Sequence, residues 1–186
     1  METATDSPAR PARVVSVDSH APAPAVLAEA ATLLRADDLV AFPTETFYGL
    51  GAAALAPAAV RRLVEVKGRP EHKPLLVLID SIAMAERVVA DLPPRARELM
   101  ARLGVRLSAH PLARALVSAL GEPITAPSAN PSGLAPPTTA AEVAAYFGDR
   151  VALVLDGGAT PGGEPSTVVD VTRDPPRVVR AGAVRI

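Results

Sequence analysis

The chain carries the stretch LVAFPTETFYGLG at residues 39–51, in which an apolar run leads through a proline into a polar segment with two glycines. We predict a buried strand over Leu39–Phe42 that ends at Pro43, because proline has no N–H for a strand ladder. Thr44–Gly51 is predicted to be a loop at the end of this strand, where α/β proteins commonly bind ligands. Its threonine and tyrosine hydroxyl groups can both donate and accept, which suits a zwitterionic or hydroxylated small molecule; the alternative is a polar turn in which Thr46 and Glu45 cap a neighbouring group.

Outward from this stretch, apolar strand patterns alternate with helical patterns of about ten residues. The further predicted strands are Arg13–Val17, Leu75–Ile79, Val105–Leu107, Ile124–Ala126, Val151–Leu155 and Thr167–Val171. The predicted helices are Val26–Arg35, Ala58–Val66, Ser81–Ala90, Pro93–Leu103, Pro111–Leu120 and Thr139–Phe147. This alternation indicates a single mixed α/β domain over residues 13–186, with sheet and helices in layers. Residues 1–12 are polar, small and interrupted by proline, so a disordered N-terminal tail is predicted.

Composition excludes several classes of protein. The 186 residues include no cysteine, which excludes disulfides, thiolate metal sites and cysteine nucleophiles. With 19 Lys and Arg against 20 Asp and Glu, the chain lacks the excess of cations that a nucleic-acid-coating protein needs. No uncharged apolar run reaches the ~18 residues of a membrane span and no secretory leader is recognisable, so a cytoplasmic protein with no membrane partner is predicted.

Both lysines of the chain lie in one short segment, KGRPEHKP at residues 67–74. Lys67 and Lys73 stand there with Arg69, and Arg61 and Arg62 precede them on a predicted helix. Compact ammonium groups and forked guanidinium groups together are typical of phosphate sites. The alternative is a solvated charged loop, and the Gly-x4-Gly-Lys-Ser/Thr order of a Walker loop is absent.

A third polar segment, TAPSANPSG, occupies residues 125–133. Ser128 and Asn130 alternate there with small and cyclic residues before Gly133. Such a turn can present hydroxyl, amide and backbone N–H groups to an anion or to the edge of an adenine. Taken alone, the segment is better interpreted as an Asx turn that joins a strand to a helix.

Taken in order along the chain, these segments resemble the YrdC-like family, the TsaC-type threonylcarbamoyl-AMP synthases (L-threonylcarbamoyladenylate synthases). The matching blocks are PTETFYGLGA at 43–52, KGRPxxKPL at 67–75, SANxSG at 128–133, PSTVVD at 165–170 and RAG at 180–182. The resemblance implies a twisted open sheet flanked by helices, with a concave and locally positive nucleotide cavity. It also implies a nucleotidyltransferase that joins L-threonine, bicarbonate and ATP into threonylcarbamoyl-AMP with release of diphosphate, for modification of a tRNA adenosine next to the anticodon.

The resemblance also assigns roles to individual residues. The implied catalytic residues, which also bind ATP, are Lys67, Arg69, Ser128 and Asn130. Further implied ATP-binding residues are Lys73, Ser166 and Arg180, and the implied threonine-binding residues are Thr44, Thr46, Tyr48 and Arg106. Fixed cations and hydrogen-bond donors suit this reaction, because charge builds up on the leaving diphosphate. Mg²⁺ is expected on the phosphate oxygens with few or no dedicated protein ligands, and tRNA and other tRNA-modification proteins are candidate partners.

One part of the family pattern is missing. Members carry a stretch with Trp-Pro-Gly-Pro between the helix predicted at Pro93–Leu103 and the strand that begins near Val105. The absence of about 30 residues near 103–105 leaves neighbouring strands without a pairing partner, which exposes their ladder groups. Two alternatives to the synthase therefore stay open: a non-catalytic YrdC-like module that binds nucleotide or RNA, and carbamoyl-adenylate chemistry on another substrate.

Overall fold

The structure of the chain is a computed structural model that describes residues 11–70, 75–84, 87, 103–164, 168–170 and 177–182. Residues 1–10 of the predicted tail, Lys73, Ser166 and most of the helices predicted at 81–90 and 93–103 lie outside these ranges. At the start of the first of those helices, Met84 N donates to Ser81 Oγ over 3.2 Å, as expected of an N-cap serine.

Nine strands and four α-helices are assigned within the described ranges. The strands are β1 (Val14–Ser16), β2 (Val40–Pro43), β3 (Tyr48–Gly51), β4 (Leu75–Ile79), β5 (Leu103–Leu107), β6 (Ile124–Thr125), β7 (Leu153–Asp156), β8 (Val168–Asp170) and β9 (Arg177–Arg180). The helices are α1 (Pro24–Arg35), α2 (Pro57–Lys67), α3 (Pro111–Leu120) and α4 (Ala140–Phe147), and a 3-10 turn covers Gly148–Arg150. The predicted mixed α/β class is confirmed.

Local sequence signals set the ends of the helices. Proline is the first residue of α1, α2 and α3, where its missing N–H costs no helical hydrogen bond. Gly68 and Gly121 follow α2 and α3 with φ of 57° and 80°, the left-handed conformation that glycine adopts without a Cβ clash. Thr139 and Glu142 form a capping box that starts α4.

The first sheet has four strands in the order β1-β7-β2-β3. Strand β7 pairs in parallel with β1 and β2, whereas β3 runs antiparallel to β2 with Tyr48 opposite Pro43. The prediction of a loop over Thr44–Gly51 is therefore wrong for its second half, which is strand β3. All four residues of β3 are buried, so the strand lacks the polar–apolar alternation that marks a half-buried strand.

The second sheet has three strands in the order β5-β4-β6. Parallel pairing of β4 with β5 runs without a break from Leu75 opposite Leu103 to Ile79 opposite Leu107. Leu103, predicted as the last residue of a helix, is thus the first residue of a strand. The strand at the position where a family stretch is expected to be missing keeps a regular register with its neighbour.

The two sheets meet along β3. Single antiparallel bridges join Gly49 to Ser128 and Ala53 to Ile124. The approach is close at Gly51, where a Cβ would lie 2.8 Å from Cγ2 of Ile124. A side chain at that position would separate the strands, which explains a glycine inside a buried strand.

Two further differences from the predicted strands concern the C-terminal third. Strand β7 begins at Leu153 rather than Val151, because the 3-10 turn Gly148–Arg150 directly precedes Val151. Strand β9 was not predicted, since its sequence has only two apolar residues between two arginines. It pairs antiparallel with β8 in a separate two-stranded sheet.

Helices cover the sheets and complete the core. Helix α1 packs against α3, and Arg35 at the end of α1 donates to the last carbonyls of α3, Ala119 O at 3.0 Å and Leu120 O at 2.9 Å. A cation at these carbonyls also compensates the helix dipole. Across the described part of the chain, no helix combines the length and apolar character needed to cross a bilayer.

Candidate functional site

The turn between β2 and β3 is closed by threonine. Thr44 is buried, its hydroxyl donates to Phe47 O at 2.7 Å, and its backbone N donates to the same carbonyl at 3.2 Å. Thr46 N donates to Thr44 Oγ1 at 3.3 Å, and Thr46 O accepts from Gly162 N at 2.8 Å. The predicted threonine-side segment is therefore an ordered turn whose carboxylate-bearing residue, Glu45, is at its tip.

Glu45 binds the end of β5. Its Oε1 accepts from Arg106 Nε at 3.0 Å and lies 2.7 Å from Arg106 Nη2, and its Oε2 accepts from Ser108 Oγ at 2.6 Å. Burial raises the pKa of this carboxyl, but hydrogen bonds from Ser108 and Arg106 and the Arg106 charge outweigh burial and leave the pKa lowered. Glu45 is therefore ionised at neutral pH. We call Glu45, Arg106 and Ser108 the Glu45 cluster.

Tyr48 is a buried residue of β3 rather than an open wall. Its hydroxyl donates to Gly158 O at 2.8 Å and lies 3.3 Å from Asp156 Oδ1, at the end of β7. Burial and the charge of Asp156 raise the pKa of the phenol, so it stays protonated. Tyr48 thereby holds the loop after β7 next to the β2–β3 turn.

The Ser-x-Asn segment runs along the other side of β3. Leu50 N donates to Pro127 O at 2.8 Å, and Ala129 N donates to Tyr48 O at 2.7 Å. These bonds place Ser128 and Asn130 beside the strand that follows the Glu45 turn. The first and third polar segments of the sequence, about 80 residues apart, are thus neighbours across one strand.

Lys67 joins the second polar segment to the third. It is the last residue of α2, it is 3% exposed, and its Nζ donates to Ser128 O and to Asn130 O, both at 2.5 Å. Lys67 O also accepts from Ser132 N at 2.8 Å. Burial, and then the charge of Arg69, lower the pKa of the ammonium group to about 8. We call Lys67, Ser128, Asn130 and Ser132 the Lys67 cluster.

Asn130 keeps one acceptor atom unused among the described residues. Its Nδ2 donates to Pro131 O at 3.0 Å and to Leu134 O at 2.7 Å, which fixes the orientation of the amide because both partners are acceptors. Its Oδ1 is buried and accepts no hydrogen bond from the described part of the chain. Buried polar atoms are nearly always paired, so this oxygen is suited to a donor from a ligand.

The structure brings together most of the predicted site residues that it describes. Thr44, Thr46, Tyr48 and Arg106 surround the β2–β3 turn, and Lys67, Ser128 and Asn130 form the Lys67 cluster. Arg69 is half-buried just after α2, and burial lowers the pKa of its guanidinium. Arg180 lies on β9 opposite Val168. Lys73 and Ser166 lie outside the described residues, so their assignment stays a prediction.

Sequence reasoning missed three polar residues of this region. Glu45 was considered only as part of a polar turn, and Ser108 and Asp156 were not singled out. Ser108 and Asp156 each end or follow a parallel strand, β5 and β7. Polar residues at the carboxyl ends of parallel strands are the signal that could have found them.

The predicted nucleotide cavity stays a prediction. Separately, a shallow, open cavity of about 460 Å³ is lined by Arg61 and Arg62 of α2 and by Arg150. Neither Lys67 nor Asn130 lines it. In the ranges that the structure describes, no three His, Asp or Glu side chains come together as a metal site would require.

Comparison with known proteins decides the family. A family model described as "Telomere recombination" (Sua5/YciO/YrdC) matches residues 32–103 and 101–182. The chain belongs to the Sua5/YciO/YrdC family. The resemblance drawn from the five sequence blocks is thereby confirmed, and so is the fold that it implied.

Named relatives extend this assignment. The threonylcarbamoyl-AMP synthase of Bacillus subtilis (strain 168) is 40% identical over 185 aligned positions, which cover 85% of this chain and 54% of the relative. The putative threonylcarbamoyl-AMP synthase of Mycobacterium tuberculosis (strain H37Rv) is 36% identical over 177 positions and 81% of each chain. The crystal structure of P. abyssi Sua5 complexed with L-threonine matches with a TM-score of 0.81 and 36% identity, over 91% of this chain and 57% of that one. The chain thus spans little more than half of the first and the third of these relatives.

The alignments contain more positions than this chain supplies. In the B. subtilis alignment, 85% of 186 residues is about 158 residues against 185 positions, so about 27 positions have no residue in this chain. In the M. tuberculosis alignment, 81% is about 151 residues against 177 positions, which leaves about 26. The family-model match is divided at residues 101–103.

Proposed function

We propose that this chain catalyses the ATP-dependent synthesis of threonylcarbamoyl-AMP from L-threonine and bicarbonate, with release of diphosphate. The observation that carries the proposal is the Lys67 cluster. A buried ammonium group holds the Ser-x-Asn turn, and one buried amide oxygen there awaits a donor. The relatives' name, threonylcarbamoyl-AMP synthase, supports this product, and the L-threonine complex of P. abyssi Sua5 supports threonine as a substrate.

In this proposal the Lys67 cluster binds ATP and the Glu45 cluster binds threonine. An ammonium group has three N–H donors, and two of those of Lys67 are used by carbonyls, which leaves one for a phosphate oxygen. Asn130 Oδ1 would accept from a nucleotide N–H or hydroxyl group, and Arg69 would stabilise the charge of the leaving diphosphate. Arg106 would bind the threonine carboxylate, with the Thr44–Tyr48 turn beside it.

Mg²⁺ would enter this site as part of the substrate. The phosphate oxygens of ATP would hold the ion, which usually keeps several of its own waters in such sites. Carbamate attack would then need only positioning and charge neutralisation from the protein. Transfer of the product to a tRNA adenosine, with other tRNA-modification proteins as partners, and the cytoplasmic location complete the proposal.

A second candidate function is a YrdC-like module that binds nucleotide without catalysis. The specific observation in its favour is the set of about 27 aligned positions without a residue here, together with the family-model match divided at 101–103. We infer that a stretch present in relatives is missing just before β5. Its absence leaves the Lys67 and Glu45 clusters in place, which favours the enzyme over the module.

The test is diphosphate release from ATP with threonine and bicarbonate. Release that depends on both is the expected result; ATP binding without such release would assign the module instead. Serine and other amino acids in place of threonine test for a different acceptor. Arg69→Ala is expected to weaken ATP turnover by about 1.5–3 kcal/mol, the scale of a charged hydrogen bond. Arg61→Ala, an exposed change on α2, the helix that precedes Arg69, is the matched control and should leave turnover unchanged.

A further inference from the structure

Glu45 ties the two sheets together beside the proposed amino-acid subsite. It is in the turn between β2 and β3 of the first sheet, and its partners Arg106 and Ser108 end β5 of the second sheet. Ala109 N lies 3.5 Å from its Oε1 and His110 N donates to Ser108 Oγ at 3.2 Å, so the start of the next helix is connected to the same group. The carboxylate is therefore held from several directions.

The pairing fixes how the guanidinium is presented. Glu45 Oε1 contacts both Nε and Nη2 of Arg106, whereas Nη1 takes part in neither contact. Arg106 is only 15% exposed in its side chain, so its rotation about the ion pair is restricted. One edge of the planar fork is thus committed to Glu45 and the Nη1 side is left for a second carboxylate.

We propose that Glu45 is a positioning residue of the amino-acid subsite, which orients Arg106 and makes the subsite prefer a zwitterionic amino acid to a carboxylate without an ammonium group. The proposal rests on the proposed function, in which Arg106 binds the threonine carboxylate. Glu45 would act in two ways: it would orient Arg106, and it would place its own negative charge beside the Arg106 guanidinium.

The negative charge of Glu45 decides which kind of ligand the subsite favours. A ligand carboxylate at Arg106 is repelled by the ionised carboxylate of Glu45 a few ångströms away, and an ammonium group on the same ligand compensates this repulsion. A hydroxy acid without the ammonium group meets the repulsion alone. An unfavourable element directed against the wrong ligand is a common route to specificity.

The experiment compares L-threonine with 3-hydroxybutanoate, which has the same carbon chain and hydroxyl group but no amino group, as a competitive inhibitor of diphosphate release. In Glu45→Gln, the ratio of the 3-hydroxybutanoate inhibition constant to the threonine KM is expected to fall about tenfold. An unchanged ratio in a folded Glu45→Gln protein overturns the proposal.

Ser108→Ala separates orientation from charge. It removes one hydrogen bond to Glu45 but keeps both charges, so threonine KM is expected to rise about threefold while the ratio stays at the wild-type value. If Glu45→Gln does not fold, an unchanged threonine KM in Ser108→Ala overturns the proposal on its own. Asp38→Asn is the matched control, because it breaks an ion pair of the same 2.7 Å length with Arg62, and it should change neither constant.

Threonine binding and diphosphate release by the wild type distinguish a failure of the Glu45 role from a failure of the proposed function. Threonine binding measured by calorimetry without diphosphate release overturns the proposed function alone, and the same pair of ligands then tests Glu45 by affinity. Diphosphate release with an unchanged ratio in Glu45→Gln overturns the Glu45 role alone. A wild type that binds no threonine overturns both.

Discussion

The Glu45 cluster contains the turn that precedes β3, the Lys67 cluster lies beside β3, and the two treat charge differently. In the Glu45 cluster a carboxylate meets a guanidinium, so the two charges cancel. In the Lys67 cluster an ammonium group meets two neutral carbonyls, so its charge remains. The Glu45 cluster is thus suited to a zwitterion and the Lys67 cluster to a polyanion. This difference matches the two substrates of the proposed reaction, an amino acid and ATP.

The largest effect is expected from removal of the uncancelled charge of Lys67. Lys67→Met should lower kcat/KM for ATP about 100-fold, as loss of one fixed donor to a developing anion does in other enzymes. Its free energy of unfolding should change by less than about 1 kcal/mol, because the loss of two hydrogen bonds opposes the relief of a buried charge. Steady-state kinetics and urea unfolding measure the two quantities.

Threonine KM is the internal control for Lys67→Met. It should stay within about twofold of the wild type, since the substitution leaves the Glu45 cluster intact. Equal losses for ATP and threonine would contradict separate roles and show that the two clusters act as one unit.

The sequence predicted the second of these clusters better than the first. Lys67 stands out in the sequence because the chain has only two lysines, whereas Ser128 and Asn130 are singled out by the family resemblance and taken alone fit an Asx turn. Their contacts are made with backbone carbonyls, which no sequence pattern reports. The buried position of Lys67, which lowers its pKa, could therefore not be predicted.

The Glu45 cluster and β3 show why part of the fold escaped prediction. Helices and most strands follow from local periodicity and from proline and glycine at their ends. Strand β3 does not, because it is buried on both faces and contains two glycines. The Glu45–Arg106 ion pair joins residues 61 positions apart on two different sheets, so it depends on tertiary packing alone.

The next largest effect is expected in β3, the strand next to both clusters. Gly51→Ala should destabilise the fold by about 1–3 kcal/mol, the usual cost of an added methyl group in a packed site. The new Cβ would lie 2.8 Å from Ile124 Cγ2 and from Phe42 Cε1. Gly49→Ala is the matched control, since its nearest neighbours would be 3.4 Å away, an ordinary contact. Thermal or urea unfolding that finds both variants equally stable would contradict the close approach at Gly51.

A smaller expected effect is a pH dependence of ATP affinity, which distinguishes the two clusters in the wild type. Because the pKa of Lys67 is about 8, its charge is lost as pH rises through that value, and ATP affinity should fall about tenfold between pH 7.5 and 9. In Lys67→Arg, whose guanidinium stays charged, this fall should disappear; a fall of the same size in that variant would assign it to another group. The folded pKa is below the ordinary 10.5, so the unfolded chain holds the proton longer and stability should rise with pH across this window.

The smallest effect is expected from neutralising Glu45, whose charge is cancelled by that of Arg106. Glu45→Gln should reduce the free energy of unfolding at pH 7 by less than about 1 kcal/mol, because a partly exposed ion pair contributes little. The folded pKa of Glu45 is lowered, so the contribution is present above the ordinary value of 4.5 and is lost as pH falls through the folded pKa. Urea unfolding of both proteins at a series of pH values should therefore give a difference that shrinks only below 4.5. A difference that is instead constant down to acid pH would mean that Glu45 acts by packing, and its cluster would then not be the charge-cancelled counterpart of the Lys67 cluster.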